Sequence, residues 1–302
     1  MDAPPDKEDI GPFIDIAQLL VGIGVNAPVI QERNVAEGYL LLSDFGNCTY
    51  LMEIERPGVA DAAIEGLYAD ALAALIRIQA QGSEGAARLP GYDRPTLKRE
   101  MDLFPEWFVG RHLGLSLTAA ERADLTRIEE LLIAAALEQP QVLVHRDYHS
   151  RNLMVCEPGR PGILDFQDAV RGPITYDLVS LLRDCYVAWP AARVKAWIGS
   201  FREQAAQSRL PVGRDAAEFT RWFDFMGVQR HLKVAGIFSR LWHRDGKRGY
   251  LKDIPRTVNY LLSVSREHAE LRPLAELLER RILPAMQSAA VSPSAASAPD
   301  GN

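Results

Sequence analysis

The stretch VLVHRDYHSRNLMVCEPGRPGILDFQD, residues 142–168, constrains the fold of this chain more than any other. Its apolar start reads as a strand over residues 141–145, which delivers His145-Arg146-Asp147 to a short loop reaching Asn152. Two further strand-like runs, 153–156 and 162–166, flank EPGRPG, whose prolines and glycines are turn residues, so 153–166 reads as a hairpin. A hairpin folds back on itself, so Asn152 at its start and Asp165 at its end become neighbours. An amide oxygen beside a carboxylate is the hard-oxygen set that Mg²⁺ takes alongside phosphates. Asp147 lies on the adjoining loop, placed to accept a proton from a hydroxyl attacking such a phosphate.

The rest of the chain supplies a helical frame. Of 302 residues, 47% are hydrophobic and 25% charged, ordinary proportions that exclude disorder and a disulfide miniprotein and allow one large domain or two lobes. The net charge of −6 argues against a nucleic-acid partner. Cys48, Cys156 and Cys185 are scattered without CxxC spacing, which fits a reducing compartment and a cytoplasmic protein. The acidic start has no signal-peptide pattern, and no apolar run is long enough to span a membrane. Residues 1–6 read as a loop, 10–23 as an amphipathic helix, and 28–32 and 38–43 as strands. Residues 60–81 and 119–138 read as long helices, 90–105 is mixed, and the chain is mostly helical from 176 to about 288. Residues 289–302 lack apolar periodicity and read as a disordered tail. The class is α+β.

HRDYHSRN followed by DF resembles the protein-kinase-like signature H-R-D-x-x-x-x-N plus D-F. His149, two residues after Asp147, and DFQD in place of DFG separate the chain from protein kinases and match aminoglycoside phosphotransferases. Together with LDFQDAVRGPITYDLVSLLRD and GVQRHLKVAGIFSRLWHRDGKRGYLKDIPR, these motifs resemble the bacterial N-acetylmuramate/N-acetylglucosamine anomeric kinases over roughly residues 1–285. The resemblance implies a two-lobe kinase-like fold that uses ATP and Mg²⁺ to phosphorylate the C1 hydroxyl of a sugar in peptidoglycan recycling. The alternatives are a kinase of another small alcohol, aminoglycoside or choline-like, and an inactive truncated phosphotransferase.

Carried over by residue, Asp147 deprotonates the sugar hydroxyl, Asn152 and Asp165 hold Mg²⁺ and the ATP phosphates, and His149 donates to the transferring phosphoryl group. His145 braces the loop by hydrogen bonding. Asp177 anchors the catalytic loop, or is a helix N-terminal charge favoured by the dipole. Arg146 and Arg151 suit structural ion pairs and phosphate contacts equally. Gln229, Arg230 and Lys233 lie together on the later helical block and are the sugar-site candidates, with a solvated cationic face or core-edge packing as the other reading. The resemblance also implies that residues 1–46 form a partial N-lobe, a helix plus a strand hairpin ending in a hinge at Ser43, Phe45 and Asn47 that faces the adenine. Residues 47–288 would form the helical C-lobe. Asp44-Phe45-Gly46 imitates the metal-binding motif but stands a hundred residues too early. No Gly-rich hairpin or strand lysine precedes the hinge, so the chain reads as starting inside the N-lobe.

Overall fold

The computed structural model describes residues 1–291, and side chains through residue 288. In chain order the elements are α1 Gly11–Gly22, β1 Ile30–Asn34, β2 Tyr39–Leu42, α2 Tyr50–Ile54, α3 Asp61–Gln81, α4 Ser83–Ala86, α5 Arg94–Met101 and α6 Ala119–Leu137. There follow β3 Gln141–Val144, β4 Leu153–Met154, β5 Gly162–Ile163, β6 Val170–Pro173, α7 Tyr176–Leu182 and α8 Ala191–Gln207. The long α9, Ala216–Asp245, precedes α10 Ile254–Glu267, α11 Arg272–Leu277 and α12 Leu283–Val291. A π-helical segment, Phe104–His112, follows α5. Helices dominate and, among the described residues, the strands pair in three antiparallel two-stranded sheets, β1–β2, β3–β6 and β4–β5, which makes the chain α+β.

The chain divides into two compact units. The first is Met1–Tyr92 with Gln139–Phe223, and the second is Asp93–Glu138 with the described residues from Asp224 onward. Within the first unit, hydrogen bonds tie the N-terminal residues to the β4–β5 hairpin. Ile163 N–H donates to the Asn26 carbonyl at 2.9 Å, Val155 N–H to the Cys48 carbonyl at 2.8 Å, and the Asn26 amide to the Arg160 carbonyl at 3.1 Å. Phe13 of α1 stacks on Phe166 with centroids 4.9 Å apart. The buried face of α1, Phe13, Ile14, Ile16, Ala17 and Leu20, has the three-and-four spacing read from the sequence.

Residues 1–6 lie outside any helix or strand, as the loop reading expects, but they are tied down: Asp2 bridges Tyr39, Ala3 N–H donates to the Gly38 carbonyl at 3.0 Å and Leu40 N–H to the Met1 carbonyl at 3.1 Å. Gly38, at φ +74°, makes that approach possible, since a Cβ there would overlap the Ala3 carbonyl. The mixed stretch 90–105 contains α5, opened by Asp93, whose side chain accepts from Thr96 N–H, and by a proline in its first turn. β6 was not foreseen; it pairs with β3 in the register Gln141↔Pro173 to Val144↔Val170. Of the expected tail, 289–291 continue α12 and 292–302 lie outside the described residues. Among the described residues no helix is long and apolar enough to cross a membrane.

The second unit is built on α5, α6, α9, α10 and α11, with Leu97, Met101, Phe104, Leu232, Leu261 and Leu278 fully buried. Gly236 of α9 lies so close to Leu103 that a Cβ there would overlap its backbone.

Candidate active site

β3 ends at Val144 and the chain turns sharply through Arg146, which adopts φ +76°. A non-glycine residue in that region is strained and needs surrounding structure to hold it. Asp177, fully buried in the first turn of α7, does so: its carboxylate accepts from His145 N–H at 2.7 Å and Arg146 N–H at 3.0 Å. Of its two sequence readings, these bonds support the loop anchor. Asp147 follows, half-buried, with its N–H on His145 Nδ1 at 3.3 Å. His145 is 1% exposed, and burial pushes its pKa down to about 4, with the neighbouring Asp147 charge opposing. It is a neutral acceptor that braces the loop.

The loop closes on itself. His149 N–H donates to the Asp147 carbonyl at 3.0 Å, and Asn152 N–H to the His149 carbonyl at 2.9 Å. Tyr148 is fully buried between these residues, its hydroxyl donating to the Ala71 carbonyl at 2.8 Å. Burial raises that phenol's pKa well above its usual value.

The hairpin brings Asn152 and Asp165 together as its sequence requires. Asn152 Nδ2 donates to the Asp147 carbonyl at 3.0 Å and to Asp165 Oδ2 at 3.1 Å. Leu164 N–H donates to the Asn152 carbonyl at 3.0 Å. Asp165 is exposed, sits at φ +64°, and accepts on Oδ1 from Gln167 Nε2 at 2.9 Å. Two non-glycine residues of positive φ therefore flank the same cluster, where strain marks function more often than chance. With both amide hydrogens of Asn152 committed, its Oδ1 is the atom left to meet a cation. The site is one carboxylate on the loop, one amide oxygen and one solvent-facing carboxylate on the hairpin. Such a set can hold a hard cation and take a proton beside it.

The hinge candidates lie in the same unit. Ser43 and Val29 exchange bonds, Ser43 N–H to the Val29 carbonyl at 3.0 Å and Val29 N–H to Ser43 Oγ at 2.9 Å, which prolongs the β1–β2 ladder. Phe45 is half-buried, its ring lying against Gly162 of β5, where any Cβ would overlap it. Asn47 is exposed. Asp44 caps its own turn by accepting from Gly46 N–H at 2.8 Å.

Gln229, Arg230 and Lys233 belong to the second unit. They are not a solvated cationic face: they are 0%, 4% and 8% exposed. Lys233 Nζ pairs with buried Glu100 at 2.9 Å and Gln229 Nε2 donates to Glu100 at 3.4 Å. Sequence reading missed Glu100, because α5 is too charged to announce a buried face. It also missed Asp184, whose carboxylate accepts from Ser150 N–H at 3.0 Å. A signal for it existed: Asp177 and Asp184 are seven residues apart in an apolar run, one helical face over two turns.

Known proteins resemble the chain at this site and beyond it. It is 50% identical over 278 residues to the N-acetylmuramate/N-acetylglucosamine kinase of Pseudomonas putida, covering 92% of this chain and 80% of that protein. To the protein of that name in Pseudomonas aeruginosa it is 48% identical over the same shares. An ethanolamine kinase of Plasmodium vivax superposes with a TM-score of 0.58 at 13% identity, over 83% of this chain and 72% of that one, which shows the fold to be protein-kinase-like. The model of the phosphotransferase enzyme family matches residues 1–219, and the chain belongs to that family.

Proposed function

We propose that the chain is an ATP-dependent kinase that phosphorylates the anomeric C1 hydroxyl of N-acetylmuramate and N-acetylglucosamine, acting in the cytoplasm on sugars released from the cell wall. The observation that carries this is the high identity, over nearly the whole chain, to kinases named for those two sugars, with Asp147, Asn152 and Asp165 clustered as phosphoryl transfer needs. The three free cysteines suit a reducing compartment.

Asp147 accepts the proton of the C1 hydroxyl as the hydroxyl oxygen attacks the γ-phosphorus of ATP and the bond from that phosphorus to the β–γ bridging oxygen breaks, releasing ADP. Asn152 Oδ1 and the Asp165 carboxylate fit Mg²⁺: both are hard oxygens, one turned out by its own amide bonds and the other exposed. Bound there, the ion supplies charge neutralisation on the ATP phosphates. His149 donates to the transferring phosphoryl oxygens, and His145 keeps Asp147 in place. Ser43, Phe45 and Asn47 mark the hinge between residues 1–46 and the rest, with their backbone toward the adenine.

Of Gln229, Arg230 and Lys233 in the second unit, Arg230 is the residue proposed to meet the lactyl carboxylate of N-acetylmuramate, which a guanidinium suits geometrically. N-acetylglucosamine lacks that group, so Arg230→Lys should raise KM for the acid sugar alone.

Phosphorus NMR of the protein with Mg-ATP and N-acetylmuramate tests the reading. A sugar-1-phosphate signal that Asp147→Asn abolishes is expected. A phosphate on another hydroxyl, or full turnover by the variant, would overturn it.

A further inference from the structure

Asp177 secures the catalytic loop before Asp147; the structure carries a second device after it. The connection from α7 to α8 opens with Asp184, which is 1% exposed. Its Oδ2 accepts from Ser150 N–H at 3.0 Å and Ser150 Oγ at 2.5 Å, and its Oδ1 accepts from Tyr186 N–H at 2.9 Å. A buried carboxylate is tolerated where donors surround it, and here three do.

That bond sets Tyr186 against the loop. Its half-buried ring meets His149 edge to face, centroids 5.2 Å apart at 83°, and the Arg151 guanidinium lies 3.7 Å over its centre. The far end of the connection is fixed as well. Trp189 Nε1 donates to the Tyr68 hydroxyl at 2.7 Å, and Tyr68 stacks on Trp197 of α8 at 4.1 Å. A strap held at both ends thus presents one aromatic ring to two loop side chains, one on each side of Ser150.

We propose that Asp184 and Tyr186 are positioning residues of the phosphoryl-transfer site: Asp184 fixes the backbone at Ser150, and the Tyr186 ring orients His149 and Arg151 toward the transferring phosphoryl group. The inference rests on the kinase reading above. His149 and Arg151 flank Ser150 on the loop that carries Asp147 and Asn152, and a ring contact restricts both without spending their N–H donors. Asp177 and Asp184 therefore divide the work, Asp177 from the first turn of α7 holding the strained turn at Arg146 and Asp184 from the connection after α7 holding Ser150.

The test compares wild type with Tyr186→Leu, Tyr186→Phe, Ser150→Ala and Asp147→Asn, using Mg-ATP and N-acetylmuramate, with thermal melts and proton NMR of the histidine ring signals. Tyr186→Leu should lower kcat on the order of tenfold to a hundredfold, since misplacement of about 1 Å costs that much. KM for the sugar should stay unchanged. Tyr186→Phe keeps the ring and should restore most of kcat. The His149 ring signal should shift in the leucine variant and stay near its wild-type position in the phenylalanine variant. Ser150→Ala, which leaves one of the two bonds to Asp184, should lose less kcat, again at unchanged sugar KM, and it carries the test if the leucine variant does not fold. Wild-type kcat in Tyr186→Leu, a loss that phenylalanine does not restore, or an Ser150→Ala protein indistinguishable from wild type would overturn the clamp. If Asp147→Asn turns over normally, the kinase reading itself fails; if it is inactive while the Tyr186 and Ser150 variants are unimpaired, only the clamp fails.

Discussion

Replacing Asp177 with asparagine isolates what the buried anchor contributes. The carboxylate accepts two backbone N–H groups, from His145 at 2.7 Å and Arg146 at 3.0 Å, and the second holds a residue at φ +76°. Asparagine keeps one acceptor oxygen and turns an NH₂ toward the other donor. The change therefore loses one charge-assisted hydrogen bond, worth about 1.5–3 kcal/mol, and leaves a buried N–H facing another donor, a further cost of about 1 kcal/mol or more. Against this, the left-handed residue stores strain of about 1–3 kcal/mol that becomes free to relax once its bond is gone. A net destabilisation of about 1–2 kcal/mol follows, below the simple sum because the strain is released. The release has its own signature: as Arg146 moves toward negative φ, Asp147 is carried with it, and a shift of about 1 Å lowers kcat on the order of a hundredfold. Urea unfolding followed by circular dichroism gives the first quantity and steady-state kinetics the second. An Asp177→Asn protein with an unchanged urea midpoint and wild-type kcat would refute the reasoning at both links.

Asp165→Asn keeps a side chain that tolerates φ +64° but removes the exposed negative charge, so the melting temperature should hold while kcat falls on the order of 10²–10³-fold, read as product formed at saturating Mg-ATP. Glu100→Gln strands Lys233 without its 2.9 Å carboxylate in a buried position, and urea unfolding should show a loss of about 3–5 kcal/mol, largely recovered by pairing it with Lys233→Met. His145 titrates at about 4 in the folded chain against 6.5 when unfolded, so the unfolded chain binds the extra proton and stability falls as pH drops from 6.5 toward 4. The full difference approaches about 3 kcal/mol at 1.36 kcal/mol per pH unit, and His145→Gln should flatten that part of the stability–pH curve. A variant as acid-sensitive as wild type over that window would contradict the buried, neutral histidine.

What could be read from residues 142–168 was their chemistry, because hairpin closure makes Asn152 and Asp165 neighbours whatever surrounds them. The same local logic gave α1, α3 and α6, whose apolar faces repeat at helical spacing. β6 escaped because Val170-Arg171-Gly172-Pro173 looks like a turn; only its pairing with β3 makes it a strand, and Pro173 is tolerated at the end of a two-stranded sheet. α5 escaped because its first six residues carry no apolar stripe, although Asp93 followed by proline was a start signal in plain view. Glu100 and Asp184 were invisible for another reason. Each is a buried carboxylate whose partners lie far along the chain, 129 residues for Glu100–Gln229 and 34 for Asp184–Ser150, and no short motif encodes such a meeting.

The first compact unit is assembled from two stretches of chain, Met1–Tyr92 and Gln139–Phe223, with the second unit's first stretch threaded between them. On the ribosome that order becomes a delay. Asn26 meets Arg160 only after 134 further residues have been polymerised, roughly 7–27 s at the usual elongation rates of about 5–20 residues per second. Through that interval Phe13 of α1 lacks Phe166, the ring it stacks on, which does not yet exist. The nascent chain is at its stickiest while it is half made. Slowing elongation between the codons for Asn26 and Arg160 should then depress soluble yield more than slowing it after the codon for Phe166.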